Sequence, residues 1–129
     1  MRKEKVNRTH KDRLFRMLFG REECKENALS LYNAVNQTSY ENAEDLVFTT
    51  IDDAIFMSMK NDVSFLFGST MNLYEQQSTY NPNMPVRGLM YFGRLYSRYT
   101  EGVEADIFKK SLVRLPTPQF VVLDRKSVV

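Results

Sequence analysis

The sequence predicts an α/β domain, helices packed around a small sheet, on three observations. Apolar residues recur at one-face helical spacing near the N-terminus, at Leu14, Phe15, Leu18 and Phe19. Two short apolar runs, Asp62–Phe67 and Met71–Gln77, flank a Gly68-Ser69 turn. A turn-rich breaker, Tyr80-Asn81-Pro82-Asn83-Met84-Pro85, then separates that hairpin from another helical pattern and a late apolar strand. A chain of 129 residues suits a single core better than two.

Each element has a local reason. Thr9 to Asp12 resembles a helix-start capping box with Asp in place of the usual Glu or Gln, and Gly20 is a natural stop. A second helix is expected from about Glu23 to Val35, burying Ala28, Leu31, Tyr32 and Val35, followed by a polar loop from Asn36 to Asp45. The segment Leu46–Thr50 has strand-like content, whereas periodicity leaves Ile55–Met59 open between a strand and an irregular link. Beyond Pro85, Leu89, Phe92, Tyr96 and Tyr99 mark a helix to about Thr100, with a short helical piece near Glu104–Lys110. Pro116 and Pro118 interrupt regular structure before the strand Gln119–Leu123.

Composition narrows the chemistry. Cys24 is the only cysteine and His10 the only histidine, so neither an internal disulfide nor a zinc site of cysteines and paired histidines can be built. A single histidine in a basic leader also argues against a histidine-based hydrolytic triad, and no glycine-rich phosphate loop occurs. No apolar run reaches the roughly 18 residues of a membrane span, and a cytoplasmic protein without membrane attachment is expected. The net charge of +2 hides an asymmetry: residues 1–21 hold eight Lys/Arg against Glu4 and Asp12, which leaves the remaining 108 residues at −4. Such a basic arm, with Lys3, Lys5 and Arg8, attracts phosphates or is simply solvated.

The hairpin carries the sharpest signal. Strand side chains alternate, so Glu75 and Gln77 share one face while Tyr74 and Gln76 share the other. A two-residue Gly68-Ser69 turn pairs Phe67 with Thr70 and sets Asp62 directly across from Glu75. A three-residue turn changes the parity and separates the two acids. Opposed carboxylates repel unless a cation lies between them or one keeps a proton, and Mg²⁺ is a natural occupant because it takes one or two carboxylates and retains waters. Gln77 can orient a water but carries no charge and cannot act as a base. The plain alternative is a pair of solvated charges at strand ends.

The segments DRLFRMLFG, NDVSFLFG, YEQQSTYNPNMPVRGLMYF and LPTPQFVVL together resemble the Rpn family of recombination-promoting nucleases, also described as putative transposases, within the PD-(D/E)XK nuclease superfamily. The resemblance covers most of residues 11–123. It implies a restriction-endonuclease-like core: a helix, an antiparallel three-strand meander, a helix and a further strand in a mixed sheet. It also implies a Mg²⁺ or Mn²⁺ site on Asp62 and Glu75, with the backbone of Gln76 as a third ligand and Asp12 as a candidate fourth. Gln77 stands where the superfamily has lysine. The implied activity is hydrolysis of DNA phosphodiester bonds in a recombination or mobile-element setting. A catalytically silent nucleic-acid-binding or interaction module, or a fragment without autonomous function, is the competing reading. A homodimer is among the assemblies left open.

Other groups have quieter explanations. Arg87, Arg94 and Arg98 fall along one side of the expected helix and could track a phosphate backbone, or form a solvated face. Tyr80 and Tyr91 are candidates for stacking on bases, whereas Tyr96 and Tyr99 fit the core better. Asp52-Asp53 suits a turn. The closing DRKSVV matches the translation of a common sequencing adapter. Asp124–Val129 is therefore expected to be a non-native tail following a single domain over residues 1–123, with a natural C-terminal region missing, and it enters no functional argument.

Overall fold

The computed structural model describes residues 17–49, 62–77 and 79–124. Helix α1, Lys25–Asn36, follows a 3-10 turn at Glu22–Cys24 and buries Ala28, Leu29 and Tyr32. It ends where Gln37 takes a left-handed conformation (φ 56°) and donates its N–H to the carbonyl of Asn33. After a loop and a second 3-10 turn at Ala43–Asp45 come β1 (Val47–Phe48), β2 (Asp62–Phe67) and β3 (Thr70–Gln77). Helix α2, Met84–Gly102, then leads back to β4, Thr117–Asp124.

The sheet has the order β1-β2-β3-β4. Strand β1 pairs antiparallel with β2 and β2 antiparallel with β3, whereas β4 lies parallel to β3, so the sheet is mixed. A parallel neighbour needs a long crossover, which α2 supplies. Pro85 sits in the first turn of α2, where its missing N–H costs nothing. Just before it, the Asn81 side chain accepts the Asn83 N–H at 2.9 Å, closing the turn.

Between β2 and β3 the connection is the two-residue turn. Gly68 has φ 58° while Ser69 does not have a positive φ, the pattern of a type II′ hairpin turn with glycine first. The Thr70 hydroxyl donates to the Phe67 carbonyl across it at 2.6 Å. Phe67 therefore pairs with Thr70, and the register runs without a slip to Asp62 opposite Glu75.

Both faces of the sheet are covered. On one, Val63, Phe65, Phe67 and Tyr74 pack with Ala28, Leu29 and Tyr32 of α1. Edge-on ring contacts join Tyr32 to Phe67 at 5.0 Å and Phe65 to Tyr74 at 5.4 Å. On the other, Met71 and Leu73 pack with Tyr91, Phe92 and Leu95 of α2, and Phe120 and Tyr96 lie against them. Among the described residues no helix is long and apolar enough to cross a membrane.

Several boundaries differ from the expected ones. Residues 17–19 are helical, whereas the capping box at Thr9, the Ile55–Met59 link and Asp52-Asp53 lie outside the described residues. Val35 is 37% exposed because α1 turns Leu29 to the sheet instead. Leu89, expected in the α2 stripe, is 75% exposed; Gly88 takes the inward position next to it. Glu104–Lys110 forms turns, not a helix, as Glu104 adopts φ 55° immediately after α2. Strand β4 begins earlier and runs one residue further than predicted, through Asp124.

Candidate functional site

Asp62, Ser64 and Leu66 of β2 share a face with Met71, Leu73, Glu75 and Gln77 of β3, the face covered by α2. Asp62 is 3% exposed and Glu75 is completely buried. Directly paired positions bring Cβ atoms within about 4.5–5.5 Å. Two acids are thus drawn into the interior side by side, an arrangement that requires compensation.

Part of that compensation comes from α2. Nη2 of Arg87 lies 2.8 Å from Oε1 of Glu75, in an ion pair whose arginine side chain is 30% exposed. Nη1 of the same guanidinium donates to Sδ of Met84 at 3.6 Å. Arg87 is therefore turned inward at the helix–sheet seam; Arg94, two turns on, is also half-buried, whereas Arg98 is exposed. A Cβ on Gly88 would stand 2.4 Å from Cε2 of Phe120, so α2 rests directly on that ring, beside the position from which Arg87 reaches Glu75.

Gln77 lies one pleat beyond Glu75 on the same face, and its Oε1 is buried without a hydrogen-bond partner among the described residues. The Gln76 side chain belongs to the other face, and its backbone lies in the β3–β4 ladder opposite Leu123. Opposite Gln77 is Asp124, the last residue of β4. Asp12, Lys3, Lys5 and Arg8 lie outside the described residues. Arg94 is half-buried and Arg98 exposed. Arg98 borders an apolar cavity of about 410 Å³ with Thr49, Leu66, Met71, Leu95 and Tyr99.

The expected tyrosines divide as well. Tyr91 is buried, Tyr96 and Tyr99 pack on the α2 core, and only Tyr80, 81% exposed, faces solvent among the four. The Tyr96 hydroxyl donates to the Pro116 carbonyl at 2.6 Å, tying α2 to the start of β4.

A second polar group, which sequence reasoning did not find, occupies the α1 face. Asn36 and Gln119 exchange amide hydrogen bonds: Nε2 of Gln119 donates to Oδ1 of Asn36 at 2.6 Å, and Nδ2 of Asn36 donates to Oε1 of Gln119 at 3.3 Å. The Tyr74 hydroxyl also donates to Oε1 of Gln119 at 3.3 Å. Burial raises the pKa of Tyr74 well above the ordinary phenol value, only partly offset by Asn36. Asn36 and Gln119 lie 83 residues apart, so no local pattern announces them.

Chemically, the α2 face offers hard oxygen donors: two opposed carboxylates and an amide oxygen buried without a partner among the described residues. This donor chemistry fits Mg²⁺, which accepts one or two protein carboxylates and completes its shell with water. Among the described residues there is no cluster of three or more His, Cys, Asp or Glu side chains, so a dedicated protein cage is not built. No protein-family model, curated protein or solved structure matches the chain.

Proposed function

We propose that the domain is a metal-dependent endonuclease that hydrolyses DNA phosphodiester bonds, of the recombination-promoting Rpn type in the PD-(D/E)XK superfamily. The observation that carries this reading is the register that sets Asp62 against Glu75 on one buried face, with Gln77 next on that face. The element order, a helix, three antiparallel strands, a crossover helix and a parallel strand, supports it further.

Asp62, Glu75 and the backbone carbonyl of Gln76 would hold Mg²⁺ or Mn²⁺. When bound, the ion would polarise a phosphate oxygen and lower the pKa of a coordinated water. The chain's own residues have separate tasks. Gln77 presents an amide that orients water without accepting its proton. Its lack of charge leaves developing phosphate charge to other groups. Arg94, Arg98 and the basic arm at Lys3, Lys5 and Arg8 attract the DNA backbone without reading sequence.

A second reading, a silent nucleic-acid-binding module, has its own support. Glu75 already has a counter-ion in Arg87, and the E-x-Q motif lacks lysine. Plasmid nicking in Mg²⁺ or Mn²⁺ separates the two. Nicking abolished by Glu75→Ala or Asp62→Ala is the expected result; nicking that survives both rejects the assigned site. Salt-sensitive DNA binding without nicking selects the silent module.

A further inference from the structure

We infer that Arg87 and a divalent cation are alternative counter-ions of Glu75, so that metal entry displaces the arginine from the carboxylate. The inference deepens the metal-site reading above and rests on it. Three features lead to it.

Glu75 is completely buried and its Oε1 is 2.8 Å from Nη2 of Arg87, so the guanidinium already occupies a position that a cation bound to that oxygen would need. Even with the second carboxylate oxygen available to the metal, two cations held on one buried carboxylate repel strongly, which favours departure of the more mobile one. Arg87 also has somewhere to go. Its side chain is 30% exposed, and its other anchor is the weak sulfur acceptor of Met84 at 3.6 Å. Glu75, by contrast, is fixed in the middle of the sheet between β2 and β4 and cannot follow it out.

The exchange has a chemical logic for an E-x-Q site. Holding Glu75 with an internal cation satisfies the buried acid before metal arrives, at the cost of weakening metal affinity. Arg87 is in this sense a positioning residue: it sets the carboxylate and the threshold for metal, without touching the reacting atoms in this arrangement.

Calorimetric titration with MnCl₂ alone, on the wild-type chain and on Arg87→Gln, Arg87→Lys and Glu75→Gln, tests the inference. Loss of the guanidinium should tighten Mn²⁺ binding by roughly tenfold or more. The lysine variant, whose point charge lacks the planar fork, should fall between the two. Glu75→Gln should abolish the signal. Equal or weaker Mn²⁺ binding by Arg87→Gln overturns the exchange while leaving the metal site standing. Absence of binding in every protein rejects the metal site and the exchange with it. If Arg87→Gln does not fold by circular dichroism, Arg87→Lys decides alone: tighter binding supports the exchange and unchanged binding overturns it.

Discussion

Replacing Gly88 with alanine is the most direct probe of the packing that brings α2 over the acid pair. In an exposed helix the change would stabilise by about 1 kcal/mol, because alanine loses less backbone entropy. Here the new Cβ would meet Cε2 and Cδ2 of Phe120 at 2.4 and 2.6 Å, well inside van der Waals contact. Either the ring or the helix must move by about an ångström, and overpacking of this kind costs typically 1–3 kcal/mol. Phe120 is only half-buried, so the ring can swing partly outward, giving up some of the roughly 1.5–3 kcal/mol that full burial of such a side chain supplies. The net expectation is a loss of about 1–2 kcal/mol, read as a lower urea midpoint at unchanged slope. In a Phe120→Leu background the same substitution should become neutral or stabilising, because the colliding ring atoms are gone. A Gly88→Ala protein as stable as the parent, or more stable, would refute the close contact between α2 and the Phe120 ring, and with it the seating of α2 beside the acid pair.

Two further outcomes follow from the geometry. Tyr74 is buried and its folded pKa is raised, so the unfolded chain ionises first, near the ordinary phenol value of about 10. Its contribution to stability is complete below that pH and is lost as pH rises beyond it; Tyr74→Phe should flatten the alkaline decline in Tm while costing about 1 kcal/mol at pH 7 for the hydroxyl bond to Gln119. Arg94→Gln and Arg98→Gln should each weaken DNA binding across sequences and reduce the slope of log affinity against log salt by about 1, measured by fluorescence anisotropy; an unchanged slope in both removes the α2 flank from the proposed DNA contact.

The hairpin was the most legible part of the molecule. Its register depends on turn chemistry and a period of two, both local, so Asp62 and Glu75 could be paired on paper before any packing was considered. The helices were legible as helices but less so in their facing. Val86, Leu89 and Met90 are apolar and exposed, while the inward position belongs to Gly88, a residue with no side chain to register on a hydropathy pattern. Arg87 keeps its helical row with Arg94 and Arg98, but its pairing with the buried Glu75 depends on how α2 seats on the sheet, which spacing does not announce. The amide pair of Asn36 and Gln119 had no sequence signal, because each residue alone is an ordinary polar group and only the parallel placement of β4 joins them.

That amide pair bears on how the chain can fold during synthesis. Asn36 closes α1 early, yet its partner arrives with β4, after the whole hairpin and α2 have been made. Until then β3 is a bare edge, open to strands from other chains, and the Asn36 amide lacks Gln119, keeping within α1 its bond to the Tyr32 carbonyl. The parallel β3–β4 ladder then forms across a long sequence separation, the slow kind of contact. A ribosome pausing between Gly102 and Thr117 would hold a nascent domain with one flank of its sheet unfinished, and this is the interval in which a chaperone would have most to offer.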